Sequence, residues 1–203
     1  MSRVPIIALA GLFIGVFGQS AAAATIWDEG TNGDLSGNTA APTSVTVAIG
    51  TNTVIGSTVG SEGGPDRDIF TFTVPDGAVL AEIVLTSFSS EDDLAFLGLQ
   101  AGSSITDTSS ADELLGWLHP SAAFVGTDIL DDIAQGAGAI GFTEPLGPGT
   151  YTLWMQQGDP ELVSYSFDLI IEPAAVPEPP LATLLALGLF ALVVGRRRGA
   201  LFG

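Results

Sequence analysis

Apolar and polar residues alternate with a period of two through most of the middle of the chain. The alternation is clearest in residues 69–74, where Phe70, Phe72 and Val74 share one face. Because successive side chains of a β-strand point to opposite faces, this pattern is typical of a strand that buries one face. Short clusters rich in Gly, Pro, Asp and Asn separate the apolar runs and indicate turns. The predicted strands comprise residues 44–48, 53–56, 69–74, 79–88, 94–99, 151–155 and 165–171.

Short strands at this spacing indicate an all-β domain. About eight strands separated by turns favour an antiparallel β-sandwich with jelly-roll-like connections. Its core is expected where apolar residues share a face of these strands. The predicted core residues are Phe70, Phe72, Val74, Val84, Leu97, Leu153, Phe167 and Leu169.

One region departs from the period of two. Ser110 is followed by Glu113 three residues later and then by an apolar run, which is the pattern of a capping box at the start of a helix. Pro120 would end such a helix. Gly116 weakens the prediction, so a short helix and an irregular excursion both stay open for residues 110–118.

The first 24 residues form a separate segment. Arg3 gives it a basic start, residues 4–18 are apolar, and Ala22 and Ala24 have the spacing of a signal-peptidase site. We therefore interpret residues 1–24 as a signal peptide that is cleaved before Thr25. An uncleaved N-terminal anchor is the alternative, and in both cases the chain is exported.

The last part of the chain contains a second apolar run at residues 181–194, in which Thr183 is the one polar residue. As a helix it would span roughly 20–22 Å, which is less than a hydrocarbon core of about 30 Å. Arg196, Arg197 and Arg198 follow the run and are expected to stay on the cytoplasmic side. A weak membrane anchor after a proline-rich linker would have this pattern.

Val176, Pro177, Glu178 and Pro179 precede that run. The order of motif, apolar helix and arginine cluster over residues 176–198 resembles the PEP-CTERM protein-sorting signal. The resemblance implies recognition by an exosortase, a membrane transpeptidase-like enzyme, after transient residence in the inner membrane. Processing would then deliver the protein to the cell surface or the extracellular matrix. Residues 176–203 are accordingly expected to be a sorting tail, and residues 25–175 the exported domain.

The expected domain is strongly acidic. It holds 22 of the 23 Asp and Glu residues of the chain and one basic residue, Arg67. Such a surface repels nucleic acid and anionic lipid, which argues against both as partners. The chain has no cysteine, so disulfides and thiolate chemistry are excluded.

Several segments of the domain, read together, resemble bacterial pre-peptidase C-terminal domains. Residues 66–77, 93–97, 131–133 and 146–151 match their acid-led and Gly-Thr-Tyr strand motifs in order, and residues 165–171 would be the closing strand. The resemblance covers residues 66–171 and departs from the family at an insertion between Ser103 and Thr127. The resemblance implies a β-sandwich domain that is appended to enzymes or secreted beside them and is not itself an enzyme.

The sequence offers little from which to build a catalytic site. His119 is the one histidine, and neither lysine nor cysteine is present to act as a nucleophile. No Gly-x-Ser-x-Gly elbow occurs, and no two of the many carboxylates stand out as a glycosidase pair. We therefore expect the protein not to be an enzyme.

Calcium is the better-supported chemistry, because it takes oxygen ligands from clustered acids. Asp92 and Asp93 form one acidic pair, and Asp131 and Asp132 form another. In the resembled family the corresponding loops lie near each other, which implies a shared Ca²⁺. Asp66 and Asp68 are further candidates, with Arg67 between them as a partial counter-charge. Solvated loop acids without any ion are the alternative.

The three tryptophans suggest a second function. Trp117 lies in the insertion and could stack on a sugar ring, whereas Trp154 lies in a predicted strand and is expected in the core. Two hypotheses follow for the domain. It is a non-enzymatic surface or matrix protein, or it is a lectin-like module that binds exopolysaccharide through Trp117.

Overall fold

The computed structural model describes residues 23–175, with the exception of Asp92 and Leu94. The sorting motif at residues 176–179, the arginine cluster and nearly all of the predicted signal peptide therefore lie outside the described residues. Within the described part of the chain, no helix is both long and apolar enough to cross a bilayer. The chain has two compact units, and the boundary between them lies between Glu172 and Pro173. The elements described below lie in the first unit, except for Pro173, the last residue of the final strand.

Nine β-strands dominate the described residues, so the all-β prediction is confirmed. The helical elements are short: α1 (Glu29–Asn32), α2 (Leu130–Ala134) and a 3-10 turn at Ala122–Phe124. The strands are β1 (Ala24–Asp28), β2 (Thr43–Ser44), β3 (Gly50–Val59), β4 (Asp66–Val74), β5 (Ala78–Ser89), β6 (Phe96–Ala101), β7 (Gly116–Leu118), β8 (Gly149–Gln157) and β9 (Leu162–Pro173).

The strands form a four-stranded sheet in the order β1-β3-β9-β5 and a five-stranded sheet in the order β2-β4-β8-β6-β7. The long central pairs are antiparallel, with β3 against β9 and β4 against β8. The edge strands β1 and β2 instead pair parallel to β3 and β4. The prediction of purely antiparallel sheets is therefore wrong, and both sheets are mixed. Each parallel pair is separated by about twenty residues of chain, which is long enough for the crossover that parallel strands need.

One hydrophobic core contains residues from both sheets, so the sheets pack against each other. Seven of the eight predicted core residues are buried, and Val84 is only half-buried. Its neighbours Ile83 and Leu85 are fully buried instead. The burial pattern of β5 skips a position between Leu80 and Ile83, and a shift of one residue moves every later side chain to the opposite face.

The helix considered for residues 110–118 is not formed. Turns occupy this stretch up to β7, so the irregular alternative is the closer one. The Glu113 carboxylate accepts a hydrogen bond from the Thr106 hydroxyl instead of completing a capping box. Gly116 lies directly against α2, where an added Cβ would collide with the carbonyl oxygen of Ile133. Strand β7 therefore needs glycine at its first position.

The outer face of the five-stranded sheet is also partly covered. In β8, residues 151–155 are all buried, although alternate residues must point to opposite faces. Leu153 belongs to the main core, whereas Trp154 packs in a second, small cluster with Ile69 and Ile105. The segment that follows β6 supplies Ile105 and so covers part of this face.

Candidate functional site

A row of residues across β7, β6 and β8 builds an aromatic surface on the outer face of the five-stranded sheet. Gly98 in β6 lies opposite Trp117 of β7 on one side and Trp154 of β8 on the other. Because Gly98 has no side chain, the Phe96 ring can lie over it, and a Cβ at Gly98 would approach that ring to 3.0 Å. The glycine thus makes room for a third ring between the two indoles.

The rings are held at defined angles. Phe96 stacks on Trp117 with a centroid distance of 6.0 Å and an interplanar angle of 20°, and its centroid lies 4.7 Å from that of Trp154. His119 meets the Trp117 ring edge-on at 5.2 Å. The Trp117 indole Nε1 donates to the carbonyl oxygen of Ala137 at 3.0 Å, which fixes the ring plane. These contacts hold the rings in defined positions, so the aromatic cluster is preorganised.

This cluster forms one wall of an open groove of about 400 Å³, and residues 108–111 form another. The volume lies in the range of about 300–1,000 Å³ that is usual for small-molecule sites. The lining combines the aromatic rings with the hydroxyl groups of residues 108–110. The lining residues are Phe96, Thr108, Ser109, Ser110, Ala111, Leu114, Trp117, His119, Trp154 and Gln156. We call this the aromatic groove.

The ring nitrogens of Trp154 and His119 differ in their hydrogen-bond partners. The Nε1 atom of Trp154 is buried and has no hydrogen-bond acceptor. His119 contacts the carbonyl oxygen of Ala95 through Nδ1 at 2.7 Å. Since a carbonyl oxygen only accepts, Nδ1 donates in this contact, and Nε2 is the ring nitrogen left for other contacts. Because Trp154 Nε1 is buried, polar contact with a ligand in the groove falls to His119 and to the hydroxyls of residues 108–110.

The single basic side chain of the domain lies beside this cluster. The Arg67 guanidinium sits 5.8 Å from the centroid of Trp154, and its Nε donates to Gln156 Oε1 at 2.8 Å. Arg67 therefore points to the outer face of β4. It does not neutralise Asp68, as the sequence suggested, because successive residues of a strand point to opposite faces.

Asp68 lies on the inner face of β4 and is completely buried. Its Oδ2 accepts a hydrogen bond of 2.7 Å from the hydroxyl of Tyr165, which comes from β9 in the other sheet. Gly56 lies opposite Tyr165 on β3, and the ring occupies the space where a Cβ would be. The Oδ1 atom of Asp68 has no hydrogen-bond partner in the described chain.

Glu29 and Asp34 approach Asp68 from the N-terminal segment. One carboxylate oxygen of each of the three residues lies within 4.8 Å of the others. Glu29 is held in place because Oε1 accepts from the Leu35 amide at 3.1 Å and Oε2 from the Ser57 amide at 2.7 Å. We call Glu29, Asp34 and Asp68 the acidic triad.

Burial and like charge both act on the proton affinity of the triad. Burial raises the pKa of Asp68 from 3.8 to about 8, the Tyr165 hydrogen bond opposes the rise, and the charges of Glu29, Asp66 and Asp34 add to it. Burial also raises the pKa of Glu29, partly offset by its backbone hydrogen bonds. Without a proton or a cation, the triad would confine negative charge at a poorly solvated position.

Of the acids predicted to bind calcium, Asp93 and Asp131 accept hydrogen bonds from backbone amides. Asp93 Oδ1 accepts from the Ala122 amide at 2.8 Å and so caps the 3-10 turn. Asp131 and Asp132 lie in the first turn of α2, where negative charge is favourable to the helix dipole. Burial raises the pKa of Asp132, and Asp131 and Asp128 contribute. Asp92 is outside the described residues, so a shared cation at these four positions stays a prediction.

The predicted ligand-binding residue Trp117 lies at the centre of the aromatic groove. Trp154 is buried as expected, but in the small outer cluster rather than the main core. Trp27 lies elsewhere, in β1, and donates from Nε1 to the carbonyl oxygen of Gly33 at 3.1 Å. Sequence reasoning missed Phe96 because only the register of β6 and β7 brings it beside Trp117. It also missed His119, although a spacing of two residues in an extended segment places His119 and Trp117 on one face.

The chain has no match among protein-family models, curated proteins or solved structures. Both resemblances, to the sorting signal and to pre-peptidase domains, stay predictions from the sequence.

Proposed function

We propose that this chain is an exported, non-enzymatic protein of the cell surface or extracellular matrix, and that its domain binds polysaccharide. The aromatic groove carries the proposal. A sugar ring has an apolar face of C–H groups that stacks on an indole, and a rim of hydroxyls that need hydrogen bonds. The groove offers Trp117 and Phe96 for the first, and His119 with the hydroxyls of residues 108–110 for the second.

The negative charge of the domain restricts the class of polysaccharide that it can bind. With 22 acids and one base in residues 25–175, the surface repels uronic-acid-rich and sulfated chains. The ligand is therefore a neutral exopolysaccharide. A non-enzymatic role is proposed because the sequence has one histidine and neither lysine nor cysteine to act as a nucleophile.

The proposed architecture is a signal peptide at residues 1–24, a jelly-roll-like two-sheet domain at 25–175 and the sorting tail at 176–203. Export and sorting depend on the two terminal segments, and the roles of both segments are proposed from their sequence alone. An exosortase-type enzyme is the proposed processing partner, and the inner membrane holds the chain until that step.

Binding is tested by probing a neutral glycan array with the purified chain. We expect Trp117→Ala to abolish array binding, because it removes the stacking surface while leaving the main core untouched. Trp27→Ala is the matched control, since it also truncates an indole but lies away from the groove. Equal binding by wild type and Trp117→Ala, or no binding to any glycan, would contradict polysaccharide binding in the groove. The proposal of an exported surface protein would then stand without this ligand.

Tail processing is tested separately. We expect Glu178→Ala to leave the precursor in the membrane with residues 196–198 attached, while the wild-type protein is released or surface-bound without them. Intact-mass spectrometry of the surface fraction makes the measurement. A wild-type surface protein that still carries Arg196, Arg197 and Arg198 would contradict the proposed sorting, and it would leave the groove proposal untouched.

A further inference from the structure

The buried carboxylate of Asp68 lacks a partner for one of its two oxygens. Oδ2 accepts from Tyr165 at 2.7 Å, whereas Oδ1 has none within the described chain, although the residue has no exposed surface. A buried oxygen of an ionised group is costly to leave unpaired, and native structures rarely do so. A group other than a side chain of the described domain is therefore needed at Oδ1.

No side chain of the domain can supply the missing positive charge. Arg67 is the single Lys or Arg in residues 25–175, and its guanidinium lies over Trp154 on the opposite face of β4. The charged groups nearest to Asp68 are all acids, namely Glu29, Asp34 and Asp66. A proton or an external cation is the remaining source.

We infer that Glu29, Asp34 and Asp68 bind one calcium ion. Calcium–oxygen distances are about 2.3–2.6 Å, so two oxygens on one ion lie at most about 5 Å apart. The three carboxylate oxygens meet this limit, because all lie within 4.8 Å of one another. Three carboxylates without nitrogen or sulfur ligands suit a hard cation, and water and carbonyl groups would complete the six to eight ligands that calcium takes.

The three residues come from separate parts of the fold. Glu29 begins α1, Asp34 lies in the segment after it, and Asp68 belongs to β4. Asp34 is exposed, so solvent reaches the triad from its side. A bound ion would tie the N-terminal segment to the five-stranded sheet, in a chain that has no disulfide to do so. The site is independent of the ligand of the aromatic groove.

The test is the thermal unfolding of the purified full chain in a mild detergent, in CaCl₂ and in NaCl of equal ionic strength. Extracellular calcium sites have dissociation constants of about 10⁻⁴–10⁻³ M, so about 5 mM CaCl₂ should raise Tm by roughly 3–6 °C. Calorimetric titration should give one ion per chain. Asp34→Asn changes an exposed residue without risk to the core, and we expect it to lose most of the calcium response.

Two further variants separate this site from the alternatives. Asp68→Asn should abolish the response, whereas the double variant Asp131→Asn/Asp132→Asn should keep it in full. If the wild type melts equally in both salts, Asp68 holds a proton instead and the inference is overturned. A calcium response that survives in Asp34→Asn but disappears in the Asp131→Asn/Asp132→Asn variant would move the ion to the other acidic loop, and would equally refute the triad.

Discussion

Replacing Phe72 by alanine will lower the free energy of unfolding by about 3–5 kcal/mol. Phe72 is 1% exposed and lies in β4 on the face that packs in the main core. Its ring centroid is 6.2 Å from that of Phe70 and 6.0 Å from that of Tyr151, so truncation removes aromatic packing and leaves a cavity between the sheets. Urea denaturation followed by far-UV circular dichroism measures the change.

Ile140→Ala is the control for this experiment. Ile140 is also a large apolar residue, but it is 65% exposed, so its truncation should change stability by less than about 0.5 kcal/mol. A loss below about 1 kcal/mol for Phe72→Ala would mean that the two sheets do not share the core described here.

In chelator-treated protein, Asp68 will make the free energy of unfolding fall with rising pH, by roughly 1.4 kcal/mol per pH unit between about pH 5 and 7. Burial raises the pKa of this carboxyl to about 8 in the folded protein. The unfolded chain releases the proton near the ordinary value of about 4. The contribution of Asp68 is therefore complete below about pH 4 and is lost as the pH rises through about 8. Urea denaturation at successive pH values gives the profile.

Asp68→Asn isolates this group from the other acids. Asparagine can still accept from the Tyr165 hydroxyl and has no proton to lose, so its profile should be flatter than that of the wild type over this range. Carboxyls that do not interact with Asp68 titrate alike in both proteins and cancel in the difference. Parallel profiles would show that Asp68 is not buried as an acid in the metal-free protein.

The strands could be predicted because burial on one face imposes a period of two on the sequence. The signal from Phe70, Phe72 and Val74 is of this kind, and their burial follows directly. Val84 was misplaced because the irregularity in β5 depends on contacts with distant segments, such as the bridge between Val84 and Asp128. The parallel pairing of β1 with β3 and of β2 with β4 could not be predicted from the sequence either, since strand direction is set by long-range topology.

The candidate sites were only partly accessible from the sequence. Trp117 stood out as an aromatic residue within an insertion, but its neighbours follow from a register that places Gly98 between two tryptophans. Asp68 was predicted, together with Asp66, as a further calcium candidate. The structure makes Asp68 part of a candidate cation site, because Arg67 lies on the other face of β4 and Glu29 and Asp34 lie beside Asp68. Proximity across more than thirty residues cannot be derived from composition.

Tryptophan fluorescence during titration with a neutral exopolysaccharide tests the central claim most directly. Trp117 and Trp154 both line the aromatic groove, and Trp27 lies in β1. In a Trp27→Phe background, emission therefore reports from the groove alone. We expect saturable quenching or a blue shift with the neutral polysaccharide, and none with a polyanionic one of similar length. Emission that stays unchanged at saturating neutral polysaccharide, in a variant that is still folded by circular dichroism, would contradict the proposed function.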